Sequence, residues 1–350
     1  MLKNSQIQNL KINMRSVCVH WRLVMVSACL VAFSQALLLD EIELSLWYPN
    51  YQTASYLDLC CKNIDSVASS AFNGLTNLKT LWLERNQLTA LDPFIFSSLA
   101  NLSYLFLHTN KLNSLNPLLF ANLTNLQALH LWNNQLSALD PILFKHQTNL
   151  RELTFDSNQL TELDPSLFKS LTQLHILIMS DNLLTELQPT IFESLTNLED
   201  LELDSNQLTT LDPALFKSLT NLKTLYLQNN QLIALDPASF SSLTSLIRLD
   251  LDLNQLNTLD ASLFKSLTNL ETLFLSYNQL TSLDSTLFKS LLKLKQLHLE
   301  ENRLISIDRL VFVGLVDLQK VFMSNNPISL LQPSYVASLC SSNPNCLIYI

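Results

Sequence analysis

The stretch "LFKSLTNLKTLYLQNNQL", Leu215 to Leu232, returns 48 residues later as "LFKSLTNLETLFLSYNQL", Leu263 to Leu280, with a further copy midway, so the repeating unit is 24 residues. Written out, it reads L-x-x-L-x-L-x-x-N-x-L-x-x-L-x-x-x-x-F-x-x-L-x-x. From Leu78 to Ser341 it recurs eleven times with no insertion or deletion. The ninth position is Asn in every copy, from Asn86 to Asn326. The nineteenth is Phe from Phe96 through Phe312 and gives way only to Val336 in the last copy. A degraded copy precedes them, from Ala54 to Asn77, with Lys62 where the Asn belongs. A fixed period of this length means that a unit too small to bury its own apolar face is stacked against copies of itself.

The L-x-L segment alternates at period two, so Leu81 and Leu83 share one face of a strand while Trp82 points to the other. Stacked about 4.8 Å apart, such strands make a parallel sheet over a continuous apolar interior. An Asn at the turn leaving each strand offers a donor and an acceptor to backbone groups that would otherwise be buried without partners. The Phe column makes an aromatic spine on the convex side. Asp-Pro after the fourteenth-position Leu, as at Asp92-Pro93 and Asp212-Pro213, marks a turn. The expected fold is an α/β solenoid. It is a curved horseshoe with a parallel β-sheet on the concave face and irregular or short helical segments on the convex side.

This pattern resembles the leucine-rich repeat family in its 24-residue extracellular form, over roughly 290 of the 350 residues. The expected organisation is a signal peptide at 1–36, an N-terminal cap segment at 37–53 and a degenerate capping repeat at 54–77. Eleven repeats follow at 78–341, then a short C-terminal cap tail at 342–350.

Composition narrows the function. With only Gly74 and Gly314, neither a glycine-rich dinucleotide fingerprint nor a phosphate-cradling P-loop can be written. H-E-x-x-H and G-x-S-x-G are absent as well, so no cofactor, metal or nucleophile motif is on offer. A net charge of −9 disfavours nucleic acid as a partner, since that binding relies on basic clusters.

Lys3, Lys11, Arg15 and Arg22 precede the apolar stretch Leu23 to Phe33, and small residues at Ser34 and Ala36 stand where a signal peptidase reads. This resembles a secretory signal cut after Ala36, started from Met1 or Met14, and predicts a secreted product with no membrane span after cleavage. An uncleaved signal anchor is the alternative. In the oxidising secretory route, Cys340 and Cys346 are expected to close a small loop over the last coil. For the adjacent Cys60 and Cys61, a vicinal disulfide, free thiols and an intermolecular bridge all stay open. Asn101-Leu-Ser103 and Asn122-Leu-Thr124 are glycosylation sequons.

Among the letters that drift between copies are the third, fifth, seventh and eighth; the alternation places the first three on the solvent side of the sheet, and the eighth, at the turn, is read as projecting there too. A constant scaffold under a varied exposed sheet is expected of a binding surface. Trp82, Tyr104, Phe106, His130 and Trp132 form an aromatic patch there, and clustered exposed aromatics commonly anchor interfaces. Asp156, Asp200, Glu202, Asp204, Asp250 and Asp252 form an acidic patch suited to a partner with a basic surface. The sheet gives Glu202 and Asp204 no enclosed site in which to act as a catalytic pair, and His108 and His130 lack the further ligands that zinc needs.

The resemblance extends to Toll-like receptor ectodomains, variable lymphocyte receptors and Slit-type proteins. It implies a secreted, non-catalytic recognition protein binding a protein or glycan through its concave face, in an oligomeric state the sequence leaves open. A matrix component resembling the small leucine-rich proteoglycans and a membrane-anchored receptor are the other readings.

Overall fold

Each repeat places a three-residue strand at its third to fifth positions. A computed structural model describes residues 36–330, 335, 339, 343 and 346–350. The expected signal segment, 1–36, therefore lies outside the described residues, apart from Ala36. Strand β1 (Leu37–Leu39) pairs with β3 (Ile64–Val67). Between them run helix α1 (Glu41–Trp47) and β2 (Tyr56–Asp58). The repeats then supply β4 (Thr80–Trp82), β5 (Tyr104–Phe106), β6 (Ala128–His130), β7 (Glu152–Thr154), β8 (Ile176–Ile178) and β9 (Asp200–Glu202). They continue with β10 (Thr224–Tyr226), β11 (Arg248–Asp250), β12 (Thr272–Phe274), β13 (Gln296–His298) and β14 (Lys320–Phe322). Strand β15 (Leu347–Tyr349) follows β14. All but β1 and β3 form one parallel sheet of 13 strands in chain order. Its register never slips within the repeats: Leu57 faces Leu81, Leu81 faces Leu105, and so on.

The convex side is a succession of turns, the irregular form of the expected wall, and the short helices lie towards the ends. Along it, Phe72, Phe96, Phe120 and Phe144 stack with ring centroids 6.2–6.5 Å apart, as do Phe168 through Phe240 and Phe264 through Phe312. Strands stand only about 4.8 Å apart. Coils spaced more widely at the spine than at the sheet must fan, which makes the sheet face concave.

The Asn column is a ladder between coils. Asn110 is typical: its Nδ2 donates to Leu107 O and Leu83 O at 3.0 Å each, and its Oδ1 accepts from Leu88 N at 3.1 Å. Each Asn thus serves its own coil and the one before it. This explains Lys62, because the capping coil has no earlier regular coil to serve. It receives instead, through Lys62 N and Ile64 N donating to Asn86 Oδ1.

Some core positions depart from the pattern. Gln147 replaces the twenty-second-position Leu and is fully buried, with Nε2 donating to Phe120 O at 2.6 Å and Oε1 unpartnered. Ser239 replaces the eighteenth-position Leu or Ile, and its buried hydroxyl has no partner. Phe155 stands at a sixth position and packs against the spine at Phe168, 6.2 Å away.

The caps use local chemistry. Asp40 starts α1, its Oδ1 accepting from Ile42 N and Glu43 N at 2.8 and 2.9 Å, which satisfies two orphan donors of the first turn. Leu39, just before the helix, and Leu44, within it, are both fully buried. At the other end, the expected tail is a further strand: β15 pairs with β14, matching Lys320 with Leu347. Buried Asn343 donates to Leu315 O and Leu318 O at 3.0 and 2.7 Å, carbonyls on the strand-entry side of the preceding coil and so not the ones that the ladder serves.

Candidate functional site

The sheet face is narrower than the alternation implies. Strands end at the fifth position, and the eighth-position residue turns back with φ between 50 and 58° in all eleven repeats, whether it is Arg85, Leu253, Tyr277 or Asn325. This left-handed conformation costs an L-residue about 1–2 kcal/mol. It turns the ninth-position Asn inward and throws side chains such as Leu253 and Tyr277 into solvent. The N–H at this position is paired across coils, as in Arg85 N to His108 O at 3.1 Å.

At the N-terminal end, the structure brings the expected aromatic residues together as a stack. Trp82 lies over Phe106 at 5.9 Å, Phe106 over His130 at 4.8 Å, and His108 over Trp132 at 4.0 Å. Tyr56 of the capping coil adds an edge contact to Trp82 at 6.3 Å. The expectation that every one of these side chains projects into solvent needs correction. Phe106 and His130 are each only 8% exposed, because rings on strands about 4.8 Å apart cover one another. Tyr104 is exposed, and Trp82 and Trp132 are half-buried.

Burial also sets the charge of this cluster. It lowers His108 to about 3, with His130 and Arg85 adding smaller pushes, and it lowers His130 to about 4. His130 Nε2 lies 3.8 Å from Glu152 Oε1, but the desolvated ring is neutral near pH 7, so this is not an ion pair. His130 Nδ1 is instead 3.1 Å from Thr154 Oγ1.

The acidic residues are similarly gathered and similarly covered. On β9, Asp200 and Glu202 alternate with buried Leu201, and Asp204 follows on the same side. Asp200 accepts from Thr224 Oγ1 and Asp204 from Ser180 Oγ. Burial raises Asp156 to about 6, helped by Asp204 and Asp181. Asp252 rises to about 7 through burial and the nearby Asp250. Asp250, 6% exposed, is raised by burial even though Arg248 Nη2 lies 3.4 Å away. The negative field is therefore weaker near neutral pH than six full charges would give. Among the described residues no group of three or more His, Cys, Asp or Glu is arranged to hold a metal ion.

A second stack, not singled out from the sequence, occupies the C-terminal end. Phe274, His298, Phe322 and Tyr349 follow at 4.4, 4.5 and 4.7 Å, and the Arg248 guanidinium covers Phe274 at 4.3 Å and Tyr226 at 5.2 Å. Its signal was the run of aromatic letters down the fifth position. Tyr349 gave no such signal, because it lies off the period.

The remaining expected sites lie away from the sheet face. Asn101 and Asn122 are exposed, donating to Thr76 O and Ser97 O at 2.8 and 3.0 Å. Each amide keeps a second N–H for a glycan. Cys340 lies outside the described residues, while Cys346 is disulfide-bonded. Cys60 and Cys61 are free thiols, and burial pushes the Cys60 thiol up. No helix among the described residues is long and apolar enough to cross a membrane.

Comparison with known proteins agrees with this architecture. Curated proteins give no significant match. Among solved structures, a chain of the glycosylated Toll–Spatzle complex of Drosophila is 27% identical over 84% of this chain, with a TM-score of 0.76. This chain spans only 40–41% of the length of the matched chains in the two Toll–Spatzle structures. The leucine-rich repeat domain of APL1B is 26% identical, covering 84% of this chain and 82% of its own, at a TM-score of 0.65. A chain of the TLR13–ssRNA13 complex is 25% identical over 85% of this chain and 49% of its own, at 0.56. A leucine rich repeat family model matches residues 53–112, 77–136, 124–184, 172–232, 220–280 and 268–328, in overlapping steps that follow the ladder of strands. With nearly every coil accounted for in this way, the chain belongs to the leucine-rich repeat family.

Proposed function

We propose that this chain is a secreted, non-catalytic recognition protein that binds a protein ligand, or a glycan, on its concave sheet face. The observation that carries this reading is internal to the chain: the core, spine and Asn ladder are held constant while the sheet-side letters change from coil to coil. Exposed Tyr56 and Tyr104 with half-buried Trp82 and Trp132 supply the anchor chemistry at one end. The middle carboxylates supply steering towards a basic partner. The Toll–Spatzle complex supports a protein ligand by likeness. The TLR13–ssRNA13 complex shows that an RNA ligand is open to a relative, but a net charge of −9 disfavours it here.

The test uses the chain secreted from a eukaryotic host as bait for extracellular proteins of its source, with single-stranded RNA as a parallel arm. Captured ligand should lose affinity for Trp82→Ala/Trp132→Ala and keep it for the convex control Lys217→Ala/Lys265→Ala. Capture that survives the first variant and is lost in the second would overturn the reading.

A further inference from the structure

The loops that enter the strands line an open groove beside the sheet, about 380 Å³ in volume, which the sheet-face reading does not use. Its side chains come from the second and twenty-fourth positions of successive coils, so the repeat fixes their spacing. Asn101, Asn125 and Asn149 form one row, Ser103 and Gln127 lie beside them, and Lys79 and Arg151 stand at the two ends. No carboxylate lines the groove in a chain of net charge −9.

The amides are held in place. Asn101, Asn125 and Asn149 each donate one Nδ2 hydrogen to the carbonyl 25 residues earlier, Thr76, Ala100 and Thr124, at 2.8–2.9 Å. That leaves each with one further N–H and an acceptor oxygen, repeated at a one-coil spacing of about 5 Å. The backbone below is already used, Ser103 N donating to Lys79 O and Gln127 N to Ser103 O at 2.8 Å. Recognition there falls to the side chains.

The cations set this groove apart from the rest of its own row. Further along the second position, Lys223 and Lys295 are each paired at 2.8 Å with a carboxylate one coil earlier, Glu199 and Glu271. Lys79 and Arg151 have no ion-pair partner among the described residues, and the positions between them are neutral. Two unpaired cations three coils apart, roughly 15 Å, bracket a row of paired donors and acceptors. An amide that both donates and accepts suits a hydroxyl, which does the same, and the terminal cations suit anionic substituents.

We propose that this groove binds a linear acidic oligosaccharide of uronic-acid or sulfated type, with its hydroxyls along the Asn row and its anionic groups at Lys79 and Arg151. The proposal is independent of a ligand on the sheet face. It also gives the Asn101 sequon a consequence, since a glycan attached there would occupy one wall of the groove.

The test is titration calorimetry on the full chain made in a non-glycosylating host, with a heparin-derived hexasaccharide as probe. Neutral chitohexaose and a hexaglutamate peptide serve as comparisons. Saturable heparin-hexasaccharide binding should weaken about threefold or more in Lys79→Ala/Arg151→Ala, because two exposed charge contacts are removed. Asn125→Leu should weaken it as well, and Lys223→Ala/Lys295→Ala should leave it unchanged. Trp82→Ala/Trp132→Ala should also leave it unchanged, which separates this groove from the sheet face. Equal binding of hexaglutamate, which has no sugar hydroxyls, or of chitohexaose, which has no anionic groups, would also overturn the proposal. No saturable binding, or binding unaffected by the Lys79 and Arg151 changes, would overturn the proposal. Far-ultraviolet circular dichroism checks that each variant folds: Lys79, Asn125 and Arg151 are exposed, while Lys223, Lys295, Trp82 and Trp132 are half-buried.

Discussion

Removing one rung of the Asn ladder, by Asn206→Ala, should destabilise the solenoid by about 3 kcal/mol, with most of the loss traced to a single backbone donor. Asn206 Nδ2 donates to Met179 O, Leu203 O and Asp204 O at 3.1, 3.2 and 3.3 Å, and Oδ1 accepts from Leu184 N at 3.1 Å. The carbonyls have second partners. Asn182 serves Met179 O, Asn230 serves Leu203 O, and Asp181 N serves Asp204 O. Leu184 N has Asn206 alone, and a buried donor left unsatisfied costs about 1–3 kcal/mol. Three lost bonds of the weaker kind add the remainder. Asn206→Asp separates donor from acceptor. It keeps an oxygen for Leu184 N but sets the other against three carbonyls, so at pH 8 it should be no better than Ala. It should recover as acidification protonates the carboxyl. Urea unfolding followed by circular dichroism gives the total, with the slope checked because repeat arrays can lose cooperativity. Amide exchange at Leu184 gives the local part. A loss below about 1 kcal/mol for Ala, or an Asp variant as stable as the parent at pH 8, would refute this account of the ladder.

Gln147→Leu should stabilise the protein by about 1–2 kcal/mol, since it removes an unpartnered buried oxygen while Phe120 O keeps Leu123 N; unchanged or lower stability in urea would count against it. Phe106→Ala should cost about 2–3 kcal/mol because the ring is buried in the stack, whereas Tyr104→Ala should cost under about 0.5, and equal losses in thermal unfolding would contradict the stacking. The folded-state value for Asp252, about 7, lies above the unfolded value of about 3.9, so its proton is held more tightly when folded and stability falls as pH rises through 7. The histidines lowered to about 3 and 4 act oppositely, but their effect ends once the unfolded imidazole deprotonates near about pH 6.5. Between about pH 6.5 and 8, Asp252→Asn should therefore flatten the decline in urea-derived stability, and an unaltered slope would sink that assignment.

Much of the fold could be read from the repeat because it lies in invariant columns. The Asn, Leu and Phe positions specify strand, ladder and spine, and the structure places them so. The left-handed eighth position could not be read, because Arg85, Leu253, Tyr277 and Glu301 carry no local preference for it. Ladder bonds across coils impose the conformation instead. Strand β15 was hidden because Leu347 pairs with Lys320 at a spacing of 27 rather than 24 residues. On the candidate site, alternation correctly chose the face for Trp82, Tyr104 and Phe106. It carries no information about how far a neighbouring ring covers Phe106 or His130, since that depends on coil spacing and ring size. The groove between Lys79 and Arg151 was missed for a related reason: it exists only between coils, at positions that belong to neither the core nor the sheet.

The division between a constant scaffold and a reading face is tested most directly by footprinting. Oxidative labelling of the chain would be compared with and without a ligand captured by it. The account predicts protection of Trp82, Tyr104 and Trp132 on the sheet face, with Phe94 on the convex side labelled equally in both states. Protection of Phe94 with no change at Trp82, Tyr104 and Trp132 would contradict it.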